Sequence, residues 1–190
     1  MTTLIDVFGA FVLGGIFLAS LFNLNMTISN SNWETTLDLT TQQNCVTTSQ
    51  IVENDFYKIG WGDTSLTNST VSPITYADTS KITFRCDIDN DGKIDSITYY
   101  AGSTAALSST TNPRDRLLYR IVNNKVTPMN VGCTNFKLTY YDSAGATTNI
   151  LKKIKALRVV LDFESKDPNQ DRVYAGLHWE QYIVPKTLHY

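Results

Sequence analysis

The residues best suited to chemistry lie mid-chain, in Asp87-Ile88-Asp89-Asn90-Asp91-Gly92-Lys93-Ile94-Asp95. Carboxylates at alternate positions, a glycine for a sharp turn, a carbonyl from Lys93 and a further acid at Asp95 match the first, third and fifth places of a calcium loop. Acids this close repel one another unless a cation sits among them, and a hard cation such as Ca2+ takes six to eight oxygens. The motif lacks its last member, because Thr98 stands where a bidentate Glu is expected. Its flanks read as strands, so the expected site is a structural one in a β-hairpin, with Asp87, Asp89, Asp91, Lys93 and Asp95 as ligands and the rest from elsewhere or from water. The competing reading is an acidic, solvated turn with no ion.

Other chemistry is sparse. Cys45, Cys86 and Cys133 allow three single pairings. Cys86 and Cys133 each stand at a strand edge, so an exported protein is expected to join these two, with Cys45 buried against the sheet. The alternative is three small core residues. No CxxC or Cys/His cluster suggests zinc. His178 and His189 are the only histidines and neither accompanies a nucleophile signature, so no enzyme is expected. Asn25-Met26-Thr27 and Asn68-Ser69-Thr70 fit the N-glycosylation pattern, which arises easily by chance in a chain rich in Asn, Ser and Thr. With 16 Lys and Arg against 18 Asp and Glu, there is no basic footprint for nucleic acid.

The element that must carry these groups is the N-terminal run. Its first thirty residues hold one ionisable side chain, Asp6, and Val7 to Leu24 is apolar but for Asn23 and small residues. That is about the roughly 20 residues a helix needs to cross hydrocarbon. No Lys or Arg occurs before Lys58, against both a signal peptide's basic start and the flanking charges of an ordinary anchor. A carboxylate in such a helix calls for a partner, and the nearest supply is the amino terminus of a neighbouring chain.

Thr2-Thr3-Leu4-Ile5-Asp6, followed by the long apolar helix, resembles the mature start of type IV pilins and type II secretion pseudopilins. In that family the acid, usually Glu, neutralises the terminal ammonium of the adjacent subunit as the helix leaves the membrane for the filament core. The resemblance implies assembly through Thr2, Leu4, Ile5 and Asp6. Implied partners are copies of the chain or other pilins, the inner membrane before assembly, and the pilus or secretion machinery. Asp is one methylene shorter than Glu, and Asp6 falls at the family's spacing when counted from Thr2.

Beyond the anchor no proline occurs before Pro73, and Leu37, Cys45, Ile51, Val52, Phe56 and Ile59 partly follow helical spacing. One helix from about Leu4 to Tyr57 is expected, with Trp33, Glu34, Gln42, Gln43 and Asn54 mostly outward and the Thr and Asn content opposing it. Residues 60–80 read as loop. Strands then follow at Ile82–Cys86, Ser96–Tyr100, Arg116–Ile121, Phe136–Tyr141, Ala156–Phe163 and Trp179–Val184, separated by turn chemistry. Their order, with the acidic DG turn and the Tyr99-Tyr100, Leu118-Tyr119-Arg120 and Phe136 to Asp142 segments, is similar to the heads of large minor pilins.

The expected fold class is α+β, a long N-terminal hydrophobic helix packed on an antiparallel β-sheet head. Residues 1–32 form the membrane or filament-core helix, 33–62 its amphipathic continuation and 63–190 the β-rich head. The expected function is structural, a filament subunit exposed at the cell surface whose head binds calcium and makes surface contacts. The alternative is a monomeric, membrane-anchored calcium- or carbohydrate-binding domain.

Overall fold

The structure is a computed structural model that describes residues 2–64 and 71–188. Helix α1 runs without a break over Thr2–Tyr57, 56 residues or about 84 Å. Several of its Thr and Ser hydroxyls bond back to the preceding turn: Ser20 to the Ile16 carbonyl, Thr27 to Asn23, Thr35 to Ser31, Thr36 to Asn32 and Thr41 to Leu37, all at 2.8–2.9 Å. Each of these hydroxyls thereby finds a partner within the helix.

Two halves of α1 meet different surroundings. From Leu4 to Ile28 the large apolar side chains are exposed, Leu4 at 77% and Phe11 at 75%, and this part is long and apolar enough to cross a membrane. The later half turns Thr41, Cys45, Thr48, Ser49, Val52, Asp55 and Phe56 into the protein, a stripe at helical spacing. Leu37 is half-buried, and Ile51, expected on that stripe, lies at its exposed margin.

The head is one seven-stranded antiparallel sheet in chain order: β1 (Ile74–Ala77), β2 (Lys81–Cys86), β3 (Asp95–Ala101), β4 (Arg116–Val122), β5 (Lys125–Tyr141), β6 (Ala156–Glu164) and β7 (Gly176–Ile183). Alternation places Ile82, Phe84, Ile97, Tyr99, Leu118, Leu138, Leu157, Val159, Leu161 and Phe163 in the core. Phe56 of the helix meets Phe84 and Tyr99 edge-on, with centroids 5.6 and 5.3 Å apart.

Strand β5 is the spine of the sheet. Its first arm pairs with β4 as far as Cys133, and its second arm, from Cys133 to Tyr141, pairs with β6. Between them Gly132 adopts φ +74°, in a backbone region that favours glycine, so close to the Glu164 carbonyl that a Cβ would collide with it. The two arms let the sheet curl until the β1–β2 turn reaches the second arm. There Leu138 N–H donates to the Thr79 carbonyl at 2.7 Å and the Tyr140 hydroxyl to Asp78 at 2.9 Å.

Three expectations are corrected. Residues 74–77, read as loop, form β1 along β2, and β5 begins at Lys125 instead of Phe136, carrying Pro128 within it. Cys86 and Cys133 do not pair: all three cysteines are free and buried. Cys86 faces Asp95 at the end of the β2–β3 pair, while Cys133 faces Arg116 at the start of β4 and Phe163 on β6. Cys86 lies on β2 and Cys133 on β5, with β3 and β4 between them and at opposite ends of that pair, whereas a disulfide needs Cα atoms within about 7 Å.

Candidate metal loop and exposed helix

The acidic loop is the turn between β2 and β3, opened by Cys86 and closed by Asp95, which pair across it. Left-handed backbone at Asn90 (φ 63°) and Gly92 (φ 84°) reverses the chain, the two residue types that take this conformation at least cost. The turn folds its own N–H groups inward. Asp87 accepts Asp91 N–H at 3.1 Å on Oδ1 and Gly92 N–H at 2.9 Å on Oδ2, and Asp95 Oδ2 accepts Ile88 N–H at 3.1 Å.

Asp87, Asp89 and Asp95 come together, with one oxygen from each within 4.8 Å of the others, Asp87 and Asp95 buried and Asp89 exposed. The donor set is all oxygen and anionic, which fits a hard cation of the calcium kind. Three carboxylates supply only part of the shell such an ion takes, leaving the remainder to carbonyls and water.

Of the expected acidic ligands, Asp91 does not join this group. Asp91 Oδ1 accepts Lys93 N–H at 2.8 Å and its other oxygen pairs with the Lys93 ammonium at 3.1 Å, on the solvent side. The Lys93 partnership holds the Asp91 carboxyl below its usual range, first through the backbone hydrogen bond and then through the side-chain one.

Residues outside the motif hold the loop in place. Asn123, at the β4–β5 turn with φ 48°, donates from Nδ2 to Asp95 Oδ1 and accepts Ser96 N–H at 3.0 Å. From the end of α1, Lys58 donates to the Ile88 carbonyl at 2.7 Å, and Asp87 N–H donates to Trp61 at 2.8 Å. Gly62 lies against Asp87 with no room for a side chain. The Asn123-Asn124 pair reads locally as a turn, and nothing in its neighbourhood along the chain ties it to an acid 28 residues away.

The same corner fastens helix to sheet. Asp55, on α1 and 2% exposed, accepts the Tyr99 hydroxyl and Arg120 Nε, each at 2.6 Å, while Arg120 also reaches the Tyr99 oxygen at 3.0 Å. Burial, followed by the neighbouring Asp55 charge, drives the Tyr99 phenol far above its ordinary range. Asp63 pairs with Arg85 at 3.0 Å, and the Thr187 hydroxyl donates to the Ile59 carbonyl.

At the other end, Leu4, Ile5 and Asp6 are exposed on the bare half of α1; the Thr2 side chain, Asn68-Ser69-Thr70 and His189 lie outside the described residues. Asp6 has no ion-pair partner among the described residues, and the first Lys or Arg of the chain, Lys58, lies beyond the far end of the helix. His178 stands on the outer face of β7, with Nδ1 2.6 Å from Asp162 and Nε2 3.7 Å from Glu180. The hydrogen bond it donates to the Asp162 carboxylate raises its pKa above the ordinary 6.5.

A long helix that is bare for its first half and packed by its second half on an antiparallel sheet defines an α+β protein consistent with the pilin-like fold. No family profile and no curated protein matches the chain.

Proposed function

We propose that the chain is a structural subunit of a type IV pilus-like or pseudopilus filament, held in the inner membrane before assembly and displayed at the cell surface after it. The observation that carries this reading is the division of α1, whose apolar half is exposed among the described residues while the other half is fastened to the head. In lipid that surface costs nothing; outside lipid it needs other helices, and the small residues Ala10, Gly14 and Gly15 allow close approach. Asp6 would meet the amino terminus of the adjacent copy. The assembly machinery would move the helix from one environment to the other.

The head would form the exterior, with Ca2+ bound by Asp87, Asp89 and Asp95 and no catalytic role. Calcium there would tighten a loop already tied to Lys58 and Trp61, stiffening the junction of helix and head.

Asp6→Ala tests the assembly reading. Normal membrane insertion with loss of filaments in electron micrographs of sheared surface material is expected, and filaments at wild-type number would refute it. Calcium calorimetry on the full chain in detergent is expected to give one site that Asp95→Asn abolishes. No heat below millimolar calcium would remove the metal from the reading and leave the helix argument standing.

A further inference from the structure

A groove of about 270 Å3 opens at the end of the sheet where β5 stops, β6 starts and β7 finishes. Asp142 and Ser143 follow β5, Lys155 precedes β6, and Tyr182 and Val184 close β7, with the buried Leu188 among the lining residues. Asp142 is held in one orientation, because its Oδ1 accepts the N–H groups of Ala144 and Ala146, both at 2.9 Å. Lys155 is fixed at its backbone by an N–H bond to the Tyr141 carbonyl at 2.8 Å. The Tyr182 ring, half exposed, is braced by Tyr141 at a centroid distance of 5.5 Å.

This combination constrains the ligand. With one Asp and one Lys among its lining residues, the groove has no net formal charge and combines acidic and basic side chains with an aromatic ring and aliphatic walls. An anion would meet Asp142 and a cation would meet Lys155. A neutral ring with hydroxyls on its edge and C–H groups on one face satisfies all of them, the face on Tyr182 and the hydroxyls shared by Asp142, Ser143 and Lys155. At about 30 Å3 per water the groove displaces about nine waters, room for a single sugar ring and not for a chain buried along its length.

We infer that the groove between Asp142, Lys155 and Tyr182 binds one neutral saccharide unit at the surface of the head. The inference goes beyond the filament reading and does not rest on it, since the groove belongs to the head alone.

The test is saturation-transfer NMR on the full chain in a sugar-free detergent, with galactose, glucose and N-acetylglucosamine as probes and Gly-Gly as a zwitterionic competitor. At least one sugar is expected to receive saturation on its C–H face with millimolar or tighter affinity. Tyr182→Ala, at an exposed position, is expected to weaken it about ten-fold without shifting the unfolding temperature by more than a degree or two. No saturation of any probe at millimolar concentration, equal binding by Tyr182→Ala, or displacement of the sugar by Gly-Gly would each overturn the assignment. Loss of binding together with a collapsed unfolding temperature would be resolved with Lys155→Gln, for which unchanged sugar affinity likewise overturns it.

Discussion

Replacing Gly132 by alanine isolates what holds the sheet in its curled form. Two effects act on the new methyl group. At φ +74° an L-residue incurs roughly 1–2 kcal/mol of left-handed strain. The methyl also runs into the Glu164 carbonyl, part of a backbone already fixed by β6–β7 pairing, so the crossing strands must separate. Overpacking of that kind costs about 1–3 kcal/mol, giving about 3–4 kcal/mol in all. The molecule supplies its own control in Gly145, which has nearly the same φ, +76°, with nothing within 4 Å of its Cβ position. Gly145→Ala carries the strain alone, about 1 kcal/mol. For a chain of this size each kcal/mol moves the unfolding midpoint by about 2–4 °C. Thermal unfolding followed by near-ultraviolet circular dichroism should drop by about 10 °C for Gly132→Ala and about 3 °C for Gly145→Ala. Equal shifts for the two variants would refute the claim that the close approach of β5 to β6 requires glycine.

Asp55→Ala strands the part-buried Arg120 and the buried Tyr99 hydroxyl; denaturant titration should show a loss of about 3–5 kcal/mol, and Asp55→Asn a smaller one. His178 has a folded pKa raised above 6.5 by Asp162. Its contribution to stability is therefore complete below about pH 6.5 and fades as pH climbs through the raised value; a histidine NMR titration locates that value, and Asp162→Asn should bring it back toward the unperturbed one. Burial lifts the thiols of Cys86 and Cys133 to about 12 each. Iodoacetamide at pH 8 should leave both unmodified in the folded chain and alkylate all three cysteines in denaturant, as intact mass will show; rapid alkylation of Cys133 without denaturant would contradict its burial.

Much of this fold could be read from residue order because the signals were local. The absence of proline before Pro73 and the apolar run point to a single helix, which forms despite its threonines. Strands with regular alternation, such as Ala156–Glu164, were visible for the same reason. Strand β1 was hidden among loop-forming residues. The first arm of β5 was obscured by Pro128 and Gly132, which normally interrupt strands but here stand opposite Tyr119 and at the bend.

At the acidic loop, spacing revealed which residue types would gather but not which oxygens their neighbours would occupy. Lys93 therefore removed Asp91 from the group. Asn123, Lys58 and the Asp55–Tyr99–Arg120 cluster were illegible, since each depends on strand register across 28 to 65 residues. The disulfide expectation failed for that reason as well: two cysteines at strand ends say nothing about how many strands lie between them.

Because every strand of the head lies beside the one made just before it, the sheet can grow hairpin by hairpin as the polypeptide emerges, needing no earlier segment to wait for a distant mate. Distant contacts come afterwards, as at the curl, where Thr79 and Asp78 find Leu138 and Tyr140 about sixty residues later. Until the second arm of β5 has been made, the first strands would thus stand as a half-built, open sheet. That interval is when an assisting chaperone would have most to protect.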